Sequence, residues 1–201
     1  MSRGSLILIE GLDRAGKSTQ CERLKDRIGA TLLKFPDRTT PIGKMINDYL
    51  TNSSDLSDEA IHLLFSANRW EAKKTIEDLI YSGRNVVVDR YVYSGVAFSA
   101  AKLANLNLEW CLNPDKGLPY PDVTIFLDVS EEVAKQRGGY GEERYEKLEF
   151  QRKVRHIFKD QLRRDDWIVI SADASVDEVA DKIYDAVKDK VDRLDDRLGV
   201  F

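Results

Sequence analysis

The chain carries only two cysteines, Cys21 and Cys111, far apart and in no metal-type spacing. That excludes a disulfide framework and a cysteine-held zinc site. It fits a reducing compartment, cytoplasmic or nuclear, with both thiols as small buried apolar residues. No apolar run approaches the roughly 20 residues of a membrane helix. The N-terminus has no apolar signal stretch with a cleavage site. Charge of one sign is also missing. Charged residues make up 33% of the chain, yet the net charge is only −4, against a dedicated nucleic-acid-binding module. There is no internal repeat and no low-complexity tract. Histidine is scarce too, and both His62 and His156 fall on predicted helices, read as helix surface or core rather than catalyst.

What remains is an ordinary 201-residue chain with 42% apolar residues, read as one domain over 1–201. Leu6-Ile7-Leu8-Ile9 is a continuous apolar run ending at Gly11, the signature of a strand covered on both faces. Further strands are predicted at 31–35, 86–89, 123–129 and 167–170. Helical stripes lie between them: Cys21, Leu24 and Ile28; Ile42, Ile46 and Leu50; and a long one from Ile61 to Ile80. Later helices carry Phe150, Val154, Phe158 and Leu162, then Val179, Ile183, Val187, Val191 and Leu194. Ser57, Ser130 and the pair Ser175/Glu178 suit helix starts. This alternation predicts an α/β fold with a five-stranded parallel sheet and helices on both faces. Ligands of such folds sit at the carboxyl ends of the strands.

At one such end, Gly11-Leu12-Asp13-Arg14-Ala15-Gly16-Lys17-Ser18 matches the phosphate-loop pattern G-x-x-x-x-G-K-[ST]. Without Cβ atoms the glycines let backbone N–H groups wrap a phosphate, and the following helix adds positive potential. Lys17 would reach the β- and γ-phosphates and Ser18 would ligate Mg²⁺. A strand precedes the loop and a helix follows it, as the motif requires. GTPases, ATPases and kinases share this loop. The chain lacks an Asn-Lys-x-Asp guanine-reading motif and is small for a motor, which leaves small-molecule kinases.

Arginines are abundant where strands end: Arg14 inside the loop, Arg38 after Pro36-Asp37, Arg90 after Asp89, with Arg69 on the long helix and Arg137 and Arg144 flanking a glycine-rich stretch. A guanidinium matches phosphate oxygens and never loses its charge. Any one of them can instead be a solvated surface charge. Asp89 ends a strand as a metal-supporting carboxylate does, or pairs structurally with a nearby cation; Asp128 is a weaker candidate.

Five segments in order resemble thymidylate kinase of the eukaryotic form, a P-loop nucleoside monophosphate kinase. They are Glu10-Gly-Leu-Asp-Arg-Ala-Gly-Lys-Ser18, Phe35-Pro-Asp-Arg38, Ser66-Ala-Asn-Arg-Trp70, Asp89-Arg-Tyr-Val-Tyr-Ser94 and Arg137-Gly-Gly-Tyr-Gly-Glu-Glu-Arg-Tyr145. The likeness runs from Leu6 to Ile183; Asp192 to Phe201 fall outside it. It implies transfer of the γ-phosphoryl group of ATP to dTMP, with Mg²⁺, for dTTP synthesis, in a homodimer. ATP would be held by Gly11, Ala15, Gly16, Lys17, Ser18 and Thr19, with Arg137 and the Ala172-Asp173 turn beside adenine. Mg²⁺ would sit on Ser18 and Asp89. Arg14, Lys17 and Arg90 would be catalytic. Asp13 would hold the acceptor's 3′-hydroxyl, Arg38 and Arg90 its phosphate, Phe65 would stack on thymine and Arg69 would donate to a base carbonyl. Ser94, Gly95 and Phe98 would line the base pocket, and Tyr145 and Gln151 would contact the acceptor from the lid side. Read without the resemblance, Phe65 and Phe98 are equally consistent with plain core residues.

The chemistry fits. An acceptor phosphate has a second pKa of about 6, so it needs no general base at neutral pH. The obstacle is bringing two polyanions together, which cations solve. Arginine only donates, so Arg69 suits the 4-carbonyl of thymine or uracil and not the amino group of cytosine. Gly138, Gly139 and Gly141, in a segment of about 136–148, read as a lid that excludes water, or as an ordinary flexible loop. The lid tip, Gly138 to Glu143, holds no Arg or Lys, and Arg14 sits in the phosphate loop instead. Asp37 stands where the family more often has Glu, which leaves its contact open. Rival readings are another pyrimidine monophosphate or deoxynucleoside kinase, and a non-enzymatic nucleotide-binding switch.

Overall fold

A computed structural model describes residues 3–102, 107–137, 143–191 and 197–201. The expected lid glycines Gly138, Gly139 and Gly141, and Leu194 of the last predicted stripe, lie outside the described residues.

The strands are β1 (Leu6–Gly11), β2 (Thr31–Lys34), β3 (Val86–Asp89), β4 (Val123–Asp128) and β5 (Ile168–Ser171). They form one five-stranded parallel sheet in the order β2-β3-β1-β4-β5. All six residues of β1 and all four of β3 are buried, which is why these runs are apolar without alternation. The helices are α1 (Lys17–Ile28), α2 (Pro41–Leu50), α3 (Asp58–Tyr81), α4 (Val92–Lys102), α5 (Leu108–Leu112), α6 (Glu131–Gln136), α7 (Leu148–His156) and α8 (Val176–Lys188). α1 packs on α8 over one face of the sheet; α3 and α4 cover the other, with α4 also against α7. Right-handed crossovers in this strand order require that split.

Ser57, Ser130 and Ser175 each accept a backbone N–H at the start of α3, α6 and α8, and Ser175 with Glu178 closes a full capping box. Boundaries shift by a residue or so from the sequence expectation. β2 stops at Lys34, before Phe35 and Pro36, whose ring nitrogen cannot donate to a ladder. β4 stops at Asp128, and β5 begins after Trp167. The helix expected through Leu162 is α-helical only to His156 and continues as a π-helical segment, Ile157–Leu162. α8 ends at Lys188, so Val191 lies beyond it.

Both cysteines are buried and free, and burial pushes the Cys111 thiol up to about 11. His62 is buried, bonded to Ser99 Oγ at 2.7 Å and the Cys111 carbonyl at 2.9 Å. His156 is a surface residue paired with Asp160. A five-residue stretch, 197–201, lies along the loop before β4. Phe201 N–H donates to the Leu118 carbonyl and Phe201 O accepts from Gly117, both at 2.9 Å. The Phe201 ring meets Tyr120, Tyr93 and Tyr91 at 4.8, 5.4 and 6.0 Å. No helix among the described residues is long and apolar enough to cross a membrane.

Candidate active site

The phosphate loop leaves β1 at Gly11 and enters α1 at Lys17. Gly11 has φ +151°, and a Cβ there would stand 2.6 Å from the Leu127 carbonyl of β4. Gly16, at φ +82°, precedes α1, and no side chain caps that helix start. Its first N–H groups therefore face the cleft without an intrahelical partner. Arg14 is held at φ +67°. Its side chain leans towards Glu146, at 3.3 Å. Lys17 is buried and donates to the Leu12 carbonyl at 2.5 Å. Burial, with the nearby Arg90 charge, lowers its ammonium to about 8. Ser18 Oγ donates to Asp89 Oδ2 at 2.7 Å, joining the two residues expected to hold a metal. Among the described residues no cluster of three or more His, Cys, Asp or Glu could hold a metal ion. Asp128, the other carboxylate considered, is paired with Arg155 and Lys159 and does not line the cleft.

Beyond the loop, Arg137 donates to the Arg14 carbonyl at 2.8 Å and to the Ala172 carbonyl at 2.6 Å. It thus ties the loop to the β5–α8 turn, where Asp173 accepts from the Ser130 N–H at 2.8 Å. Arg137, Ala172 and Asp173 are brought together at one side of the phosphate loop.

On the other side is a cleft of about 970 Å³. It brings together Asp13, Arg14, Gly16, Lys17, Ser18, Thr19 and Asp89 with Arg38, Phe65, Arg69, Arg90, Ser94, Gly95, Phe98 and Tyr145. Gly11, Ala15 and Gln151 do not line it; Ala15 and Gln151 are buried behind. Arg90, at φ +65°, turns back to donate to Asp13, to the Gly11 carbonyl at 3.3 Å and to Ser94 Oγ at 3.2 Å. Its guanidinium lies 5.1 Å from the centre of the Phe98 ring. Gln151 donates to Asp13 at 2.6 Å and to the Tyr145 carbonyl at 3.0 Å, so it positions Asp13 from behind. Arg38 grips Glu143 through both terminal nitrogens at 2.6 and 3.0 Å. Asp37, the departure from the family pattern, accepts from the Thr39 N–H and hydroxyl at 3.0 and 2.6 Å. It closes its own turn and needs no longer reach.

Several contributors escaped sequence reasoning. Glu10 is fully buried at the end of β1 and accepts the N–H groups of Tyr91 and Ser94, both at 3.0 Å. It caps the start of α4, and burial raises its carboxyl above the usual range. Asn68 holds the loop before α2 through the Asp37 N–H at 2.7 Å and its carbonyl at 3.2 Å. Glu143 and Glu146 supply the carboxylates opposite Arg38 and Arg14. Arg144 does not line the cleft: it donates to the Tyr49 carbonyl at 3.0 Å, Asp55 at 2.9 Å and the Ser54 carbonyl at 3.1 Å, beyond the end of α2. Glu10 stands inside a quoted motif, so its unusual place on a buried apolar strand was the available signal.

A phosphate loop at the carboxyl end of a parallel sheet, opening into a cleft that it shares with three further arginines, defines a P-loop nucleotide kinase. The thymidylate kinase family model matches residues 9–183. Thymidylate kinase of Dictyostelium discoideum is 51% identical over 91% of this chain and 84% of its own length. The human enzyme is 46% identical over 90% and 88%. The structure of thymidylate kinase from Candida albicans superposes with a TM-score of 0.92 at 41% identity, covering 100% of this chain and 99% of the other. The chain belongs to the thymidylate kinase family. It is a kinase, which sets aside the non-enzymatic switch.

Proposed function

We propose that this protein transfers the γ-phosphoryl group of ATP to thymidine monophosphate, giving thymidine diphosphate and ADP. The supporting observation is the cleft itself, which puts the phosphate loop, four arginines (Arg14, Arg38, Arg69 and Arg90) and an apolar base wall around one space. An oxygen of the acceptor phosphate attacks the γ-phosphorus, and the bond to the β–γ bridging oxygen breaks. No proton must be removed, because the acceptor phosphate is already largely ionised at neutral pH.

The protein's task is placement and charge. Lys17 and the N–H groups of the loop hold the triphosphate. Arg38 and Arg90 hold the acceptor phosphate, and Arg14 stabilises the group in flight. In the family of such reactions, an arginine acting on the transition state contributes roughly 10³–10⁵ in rate. The pairs with Glu143, Glu146 and Asp13 keep these guanidinium groups aimed at the cleft. Asp13, seated by Gln151, would take the 3′-hydroxyl.

Mg²⁺ would be held by the Ser18 hydroxyl and the Asp89 carboxylate. Two adjacent hard oxygen donors fit an ion that takes few protein ligands and fills its shell with phosphate and water. When bound, it neutralises phosphate charge and orients the triphosphate.

Phe65 would stack on the pyrimidine and Phe98 would line its pocket, with Arg69 donating to the 4-carbonyl and rejecting the cytosine amino group. The Candida albicans enzyme is described as having broad substrate specificity, so acceptor range needs direct measurement here. A coupled ADP assay with the monophosphates of thymidine, uridine, cytidine and adenosine tests the assignment. ADP release should depend on Mg²⁺ and be greatest with thymidine monophosphate. Turnover confined to cytidine or adenosine acceptors would overturn it.

A further inference from the structure

Arg69 is a cation with 2% exposure, placed where a neutral base would lie. A buried unpaired guanidinium is very costly, so something must neutralise it. That group is Asp115, 46 residues away in the 3₁₀ turn Asn113–Asp115, fully buried and absent from all five sequence motifs. Arg69 Nε donates to Asp115 Oδ1 at 3.1 Å and Nη2 donates to Oδ2 at 2.7 Å, a two-pronged pair. Ser66, one turn back on α3, donates to the same carboxylate at 2.7 Å.

This pairing occupies one edge of the guanidinium. Nη1 has no hydrogen-bond partner among the described residues, and Arg69 lines the cleft. The opposite side is closed by α4: a Cβ on Gly95 would come within 2.6 and 2.7 Å of Nη2 and Nη1. Asp115 itself is anchored from outside. Trp70 Nε1 donates to the Pro114 carbonyl at 2.7 Å, and the next residues pair with Phe201.

We propose that Asp115 is the specificity-positioning residue of the acceptor site. It holds Arg69 so that only donors face the base, and it cancels a charge that a neutral pyrimidine cannot. The inference rests on Arg69 as the base-reading residue.

The test compares kcat/KM for thymidine and deoxycytidine monophosphates in the wild type and in Asp115→Asn, Ser66→Ala and Arg69→Leu. Asp115→Asn keeps the volume but turns an amide towards the arginine donors. It should lower the thymidine-to-deoxycytidine ratio about tenfold or more, through acceptor KM, with the KM for ATP unchanged. Ser66→Ala, which removes one bond to the carboxylate, should lower the ratio by about threefold. A merely structural role would lower the melting temperature and leave the ratio alone; that result overturns the proposal. Should Asp115→Asn not fold, Ser66→Ala decides, and an unchanged ratio again overturns it. Arg69→Leu separates the two layers. If it spares the ratio, the base-reading assignment is wrong; if it collapses the ratio while Asp115→Asn does not, only the role of Asp115 fails.

Discussion

Binding of ATP should draw a proton onto Lys17, and the size of that uptake follows from where the ammonium sits. Burial is the main force lowering its pKa, Arg90 adds to it, and the surrounding carboxylates only partly offset both, so it titrates at about 8 instead of the 10.5 of an ordinary lysine. In the folded protein alone, Lys17 is therefore about half neutral at pH 8, about a tenth neutral at pH 7 and about nine-tenths neutral at pH 9. A bound triphosphate places several negative charges beside the ammonium and favours its charged form. The titration moves back up, and the missing proton is taken from solvent. Uptake should be close to half a proton per site at pH 8, about a tenth at pH 7, and larger at pH 9. The sign for stability runs the same way. Between about 8 and 10.5 the unfolded chain holds more protons at this position than the folded one. The Lys17 contribution to stability thus grows as pH rises through that window and is lost as pH falls through 8. Titration calorimetry of Mg²⁺ and a non-hydrolysable ATP analogue, run at pH 8 in Tris and in a buffer of low ionisation enthalpy, reads the proton count as the difference in heat. Zero uptake, or net release, at pH 8 would show that Lys17 is not the residue meeting the phosphates, or that its surroundings do not lower its pKa.

Two further outcomes are expected. Arg14→Ala should lower kcat by well over tenfold while the KM for ATP changes little, because Arg14 acts on the transferring group and the loop N–H groups and Lys17 remain; a loss of less than about tenfold, some 1.4 kcal/mol, would remove it from the catalytic set. Gly43→Ala should destabilise the fold by about 1–3 kcal/mol in urea titrations and raise the acceptor KM, since its Cβ would lie 1.7 Å from the Asp37 carbonyl and 2.9 Å from Arg38 Cα. An unchanged midpoint there would mean that α2 does not seat the Arg38 loop.

Much of this protein is legible in one dimension. β1 and β3 are apolar on both faces, and such runs announce buried parallel strands whatever surrounds them. The phosphate loop is local: its glycines, Lys17 and Ser18 lie within eight positions, so strand, turn and helix fix their geometry together. Helix starts at Ser57, Ser130 and Ser175 depend on a side chain and an N–H three residues on, which is also local. The arginines of the acceptor cleft were readable as cations near strand ends, while Phe65 and Phe98, outside the five motifs, took their roles from the family resemblance alone. Phe65 and Phe98 look like core residues until the fold turns them towards the same space.

Other features depend on contacts that sequence spacing does not encode. The π-helical segment after His156 and the end of α8 at Lys188 depart from an apolar stripe that runs on past both. Asp115 lies in a proline-rich loop, and only the packing of that loop on α3 sets it against Arg69. Glu10 owes its role to the parallel pairing of β1 with β3, which delivers the start of α4 to its carboxylate. The sequence alone determined the strands, the loop and the class of chemistry, because each rests on neighbours within a turn or two of chain. The tertiary structure decided which carboxylates hold which arginines, because a buried charge takes its partner from whatever the packing brings within reach, at any distance along the chain.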